Sequence, residues 1–200
     1  MNDARSATQL SANGPLGLSA RSGAWKFAAV VLGSLLLTLS SYVSVPMIPV
    51  PVTLQTFAVM LIGALYGWRL GALTVMTWLG QAAVGLPVLA GGNGGWVAFV
   101  GPTAGYLVAF PLCAALAGWL AQRGWNGRRP WLAFVNMLLG NLACLIIGAA
   151  WLAALIGPQQ AIALGVTPFL VGGVLKSALG AVTLKLLERE QDRNRLRGDA

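Results

Sequence analysis

Lys176 sits inside TPFLVGGVLKSALGAV, residues 167–182, and the chain holds no carboxylate between Asp3 and Glu188. An ammonium among apolar side chains costs about 2.5–3.5 kcal/mol even on lenient insertion scales, so such a residue usually faces a polar cavity or a counter-ion. The chemistry this favours is capture of an anion, most simply a carboxylate. Backbone carbonyls, water or deprotonation are the structural alternatives. At about 1.5 Å per residue, Lys176 stands roughly 14 Å along a helix from Lys185, too deep for comfortable snorkelling. Gly172 and Gly180 lie four residues to either side and share its face. A strip that bare either admits a neighbouring helix or leaves room for a ligand beside the lysine.

Other polar groups are sparse. The cluster GGNGG, residues 91–95, exposes backbone N–H groups at Gly92 and Gly94, and Asn93 offers both donor and acceptor, which suits a urea or amide head. Glycine clusters are also ordinary turns. Thr53 and Gln55 precede an apolar run and either cap its helix or face a site. Trp96, in an apolar loop, either walls a site or anchors at the membrane interface. The chain has no histidine, no carboxylate within its apolar runs, no phosphate-binding G-x-x-x-x-G-K-[ST] and no nucleophile beside a base, so the parts of an enzyme are missing. Cys113 and Cys144 fall in apolar runs as small hydrophobes and define neither a disulfide framework nor a metal site. No cofactor is implied. Without intramembrane carboxylates, uphill movement of a ligand would need energy from a partner.

The elements that must hold these residues are membrane spans. Of 200 residues, 57% are hydrophobic and 9% charged, with a mean hydropathy of +0.74. Such a composition belongs in a bilayer, where about 20 apolar residues cross the hydrocarbon core. Six spans can be drawn: 24–45, 53–66, 70–85, 103–122, 131–156 and 166–187, the second and third being short. The expectation is an all-α integral membrane protein with its six transmembrane helices in one bundle, residues 23–187. It is flanked by a flexible N-terminal tail, 1–22, and a basic C-terminal tail, 188–200.

The net charge of +8 does not point to nucleic acid, because the cations sit at the ends of spans. Arg5, Arg21 and Lys26 precede or open span one. Arg69 lies between spans two and three, and Arg123, Arg128 and Arg129 between four and five. Lys185, Arg189, Arg193, Arg195 and Arg197 end span six. The positive-inside rule then puts both termini and twelve of the thirteen cations in the cytoplasm, Lys176 being the exception. Trp25, Trp68, Trp119, Trp125 and Trp131 cluster near the same ends, as interfacial belts do.

Two loops fall on the other side. VPMIPVPVTLQ, residues 45–55, carries Pro46, Pro49 and Pro51 and should be stiff and extended. The loop 86–106 is largely apolar, which fits either a lid folded back on the bundle or a membrane-surface loop. Ala24 with Ala28, and Ala29 with Gly33, form small-xxx-small pairs that suit close helix contact within the bundle or with another subunit, and a homo-oligomer is left open.

Four stretches in order, VPVTLQTFAVMLIGALYGWRLGA (50–72), GLPVLAGGNGG (85–95), GPTAGYL (101–107) and PFLVGGVLK (168–176), resemble the BioY family, the biotin-binding membrane subunits of energy-coupling-factor (ECF) vitamin transporters. The resemblance implies a six-helix S component of a bacterial inner membrane that captures biotin with high affinity near the outer face. It would work with a transmembrane coupling protein and cytoplasmic ATPase subunits. Lys176 matches the lysine associated with the biotin carboxylate and Asn93 a polar ligand-site position, while Thr53 and Gln55 fall in a TLQ motif beside the pocket. Gly92, Gly94, Trp96 and Tyr106 complete the expected ligand-binding set together with Gly173, which stands where relatives often carry an acid in a GDLLK-like pattern. Ala24 and Ala28 match the alanine motif that meets the coupling protein. The alternatives are an S component for another small carboxylated or phosphorylated vitamin, and a non-transport membrane scaffold.

Overall fold

The computed structural model describes residues 22–198. The expected N-terminal tail, with Arg5 and Arg21, lies outside the described residues apart from Ser22. Seven helices follow: α1 Gly23–Tyr42, α2 Gln55–Tyr66, α3 Trp68–Ala83, α4 Ala104–Gln122, α5 Pro130–Ile156, α6 Pro158–Gly165 and α7 Thr167–Gly198. Among the described residues, α1, α4, α5 and α7 are long and apolar enough to cross a membrane. With 12 and 16 residues, α2 and α3 rise only about 18 and 24 Å, less than a hydrocarbon core of about 30 Å.

The shortness of α2 and α3 has a local cause. Gly67 takes φ +81°, a conformation that side chains disfavour, so one residue ends α2 and begins α3. The turn must also be bare from outside. A methyl on Gly118 of α4 would lie 2.5 Å from the Trp68 nitrogen and 2.6 Å from the Gly63 carbonyl oxygen. That close approach seats α4 in the elbow of α2 and α3 and makes α4 the most enclosed of the four long helices. Asn136 of α5 ties the far end of α4 by donating to Ala117 O at 3.0 Å and Trp125 O at 3.1 Å.

α1 runs alongside α3. Gly33 packs on Thr74 and Tyr66, and Ser34 donates to Gln81 Oε1 at 2.6 Å. The two small-residue pairs thereby part company, since Ala29 and Gly33 are buried in the bundle and Ala24 and Ala28 face outward.

Three differences from the sequence expectations are local. The proline segment folds back as a hairpin, β1 Ser44–Val45 against β2 Val52–Thr53, in antiparallel register. The helix α6 interrupts the loop after α5. The expected C-terminal tail continues α7 as helix through Gly198, because Glu188 is buried where the α4–α5 loop crosses α7, with Arg128 Nε 3.9 Å from its carboxylate. Arg128 also meets Asp192 at 3.2 Å.

The cations of the elbow, the α4–α5 loop and the end of α7 gather at one end. Gly67 abuts the Gln122 side chain, and Gly127 lies against the backbone of Leu184 and Lys185. Arg123 stacks 3.5 Å over the Trp119 ring and Arg69 4.9 Å over Trp68. The hairpin and the 84–103 loop close the opposite end.

Candidate functional site

A cavity of about 380 Å³ opens beneath these two loops, walled by α2, α4, α5 and α7. Its volume suits a small vitamin-sized ligand. The walls are mainly apolar. Phe110 and Tyr106 come from α4, Leu145 from α5 and Phe169 from α7, with Val50 of the hairpin and Leu89 of the loop above them. The Tyr106 ring stacks on Phe169 with centroids 6.1 Å apart. Its hydroxyl is spent on Gly165 O at 2.8 Å, so Tyr106 offers the cavity a ring. Gly148 supports that ring from behind, where any side chain would strike it.

Lys176 lines this cavity, and its Nζ donates to Thr56 Oγ1 at 3.3 Å. No carboxylate is near: the ion pairs among the described residues involve Glu188, Glu190 and Asp192. Glu188 stands about 18 Å along α7 from Lys176. The Lys176 aliphatic stem passes Gly172, whose missing side chain leaves it room beside Val52. Gly180, on the same face two turns deeper, packs tightly on Met137 instead. The bare strip thus serves both purposes, at different depths.

Thr53, Gln55, Asn93, Gly94, Tyr106 and Gly173 also reach the cavity. Thr53 Oγ1 accepts from the Gln55 backbone N–H at 3.2 Å and donates to Gln55 Oε1 at 2.9 Å, so this pair both closes the start of α2 and lines the site. The 84–103 loop is folded back as a lid. Its two short 3-10 turns, Ala90–Gly92 and Trp96–Phe99, bring Val97 and Ala98 over the cavity. Tyr42 Oη donates to Pro87 O at 2.5 Å and Ser41 Oγ to Val88 O at 2.7 Å, tethering one side of the lid to α1. Trp151 Nε1 holds the other side through Gly101 O at 3.0 Å. Within the lid, Asn93 Nδ2 donates to Ala90 O at 2.8 Å, and Gly94 runs so close to the Leu86 carbonyl that a side chain there would collide.

Two expected site residues are not in the lining. Trp96 is 75% exposed, with its ring 6.1 Å from that of Phe99 on the same 3-10 turn. Gly92 lies beside the Tyr42 hydroxyl on the α1 side of the lid. Conversely, Thr56, Asn141 and Cys144 line the cavity although none belongs to the expected ligand-binding set. Thr56 directly follows the TLQ motif, and Asn141 is an amide within a long apolar run, itself a signal for a functional position. Cys144 carried no such signal.

Comparison with known proteins agrees with this architecture. The BioY family profile matches residues 10–193. The chain is 36% identical to a probable biotin transporter BioY of Pyrococcus horikoshii over 159 residues, 80% of this chain and 93% of that protein. It is 37% identical to the biotin transporter BioY of Thermotoga maritima over 164 residues, 78% of this chain and 93% of that one. The crystal structure of the S-component for biotin from an ECF-type ABC transporter superposes with a TM-score of 0.74 at 27% identity, covering 85% of this chain and 95% of that one. A lidded cavity over a short-helix elbow, matched in sequence along nearly the whole chain, leaves one assignment: the chain belongs to the BioY family.

Proposed function

We propose that this chain captures biotin as the substrate-binding S component of an ECF-type transporter in a bacterial cytoplasmic membrane. The observation that carries the reading is Lys176, a cation in a lidded apolar cavity whose hydrogen-bond partner among the described residues is one neutral hydroxyl. A carboxylate ligand supplies the missing charge, and among mainly apolar walls that charge-assisted contact is strong. Lys176 takes the valerate carboxylate, Asn93 and the lid backbone face the ureido head, and Phe110, Tyr106 and Phe169 cover the bicyclic ring. Thr53, Gln55, Gly94 and Gly173 shape the remaining wall.

In this reading α1–α5 and α7 make the six spans, α2 and α3 reaching the interface with help from their flanking loops. The cationic end and both termini face the cytoplasm, following the positive-inside rule, and the lid faces out. Energy comes from a transmembrane coupling protein and ATPase subunits. Ala24 and Ala28, small and outward-facing on α1, offer the coupling protein a close approach.

Calorimetric titration of the purified protein with biotin and with biotin amide tests the pairing. Biotin is expected to bind at least tenfold more tightly than the uncharged amide, and to lose that advantage in Lys176→Ala. Equal affinity of the unaltered protein for both would overturn the role given to Lys176.

A further inference from the structure

Asn141 lies on α5, across the cavity from the hydroxyl that Lys176 engages, and lines the same space. Its Nδ2 donates twice, to Met137 O at 3.0 Å and to Ser177 Oγ at 3.1 Å. Ser177 commits its single proton to Gly173 O at 2.7 Å. The hydroxyl can therefore meet Asn141 only as an acceptor, and the carboxamide must turn its nitrogen toward α7 and its own helix. Both N–H groups are then used, and Oδ1 has no donor among the described residues. Nor is that oxygen sealed in. Among the described residues, the fully enclosed side-chain polar atoms without a partner are Trp78 Nε1, Asn136 Oδ1 and Glu188 Oε2.

The wall beside it is bare. A Cβ built on Gly173 meets nothing closer than Asn141 Cβ at 4.0 Å, so no side chain from α7 covers the amide at this position. Asn136, five residues earlier on α5, makes the contrast, since it points its amide into the contact with α4. The cavity thus presents a donor toward the α2 wall, from Lys176, and a fixed acceptor on the α5 wall, from Asn141.

We propose that Asn141 is a specificity-determining residue whose Oδ1 accepts an N–H from the bound ligand. Resting on the biotin reading above, that donor is one of the two ureido N–H groups, while Lys176 takes the carboxylate. An acceptor whose orientation is locked, in a mainly apolar cavity, rejects a ligand that brings no donor, because the oxygen is then buried unpaired. Ser177 is a positioning residue, holding the amide so that oxygen rather than nitrogen faces inward.

The test is calorimetry on the full chain with biotin and with two cyclic carbamates, in each of which one ureido N–H is replaced by a ring oxygen of similar size. One carbamate is expected to bind roughly tenfold to a hundredfold more weakly than biotin. That gap should shrink to about threefold or less in Asn141→Ala, and also in Ser177→Ala, which frees the amide to rotate. Both carbamates matching biotin on the unaltered protein would overturn the proposal, as would a gap that survives unchanged in whichever of the two variants folds. Absence of biotin binding by the unaltered protein would instead sink the biotin reading itself, a result distinct from tight biotin binding with an invariant gap.

Discussion

Two cations at opposite ends of the bundle receive opposite treatment. Arg128, in the α4–α5 loop, meets Asp192 at 3.2 Å and approaches buried Glu188 at 3.9 Å. Lys176, under the lid, has the Thr56 hydroxyl at 3.3 Å and open cavity beyond. The first cation is satisfied by the chain and clamps a loop onto a helix. The second is left for something the chain does not contain. Charge alone does not make a site; a charge without a partner, facing a shaped space, does.

The strongest way to break this contrast is at Lys176. Lys176→Ala should lower biotin affinity roughly a hundredfold, the scale of losing one charge-assisted contact and burying a carboxylate unpaired, while the melting temperature stays within a few degrees. Titration calorimetry and a thermal melt in the same detergent measure both halves. Arg128→Ala should do the reverse. It leaves Glu188 enclosed without its cation, which costs about 1–2 kcal/mol of stability, reduced from the fully buried case because the Arg128 side chain is 62% exposed. Biotin affinity should stay within about twofold, and a large affinity loss would show that the two ends are coupled.

Gly173→Asp sharpens the comparison by giving Lys176 the kind of partner that Arg128 already has. The site accommodates the change, since a Cβ at 173 meets no heavy atom closer than 4.0 Å, and residues three apart share a helix face. The new carboxylate competes with the ligand for the ammonium, so affinity should fall by about tenfold or less, well short of Lys176→Ala. The smallest effect belongs to Trp96→Ala. With its ring outside the lining, biotin affinity should move by no more than about twofold, and a tenfold loss would return Trp96 to the site.

Much of this could be read along the chain. The long apolar runs became helices near the drawn bounds, and Thr53, Gln55, Asn93, Gly94, Tyr106, Gly173 and Lys176 converge on one cavity. Gly92 and Gly94 show where reading stops. They are two residues apart in one glycine cluster, yet Gly94 lines the cavity and Gly92 lies against Tyr42 of α1, because positive-φ turns at Gly91, Gly92 and Gly95 redirect the backbone within five residues. Similarly, Ala24–Ala28 and Ala29–Gly33 are alike as spacing patterns, and only the packing of α1 on α3 sends one pair outward and the other in. Beyond residue 187, where α7 continues as helix, the polarity of the chain says nothing of the buried contact between Glu188 and the Arg128 loop.

The sequence by itself determined that the chain lives in a membrane, where its apolar segments lie, and that one deep cation has no carboxylate within reach; these are one-dimensional facts of composition and order. Tertiary structure alone decided which way each helix faces. In a soluble protein the polar side of a helix announces its outer face, but in lipid both faces are apolar and that signal disappears. Close contacts of small residues, such as Gly118 in the α2–α3 elbow, set the rotation of the helices instead, and with it the meeting of Thr56, Asn141 and Lys176 around one cavity.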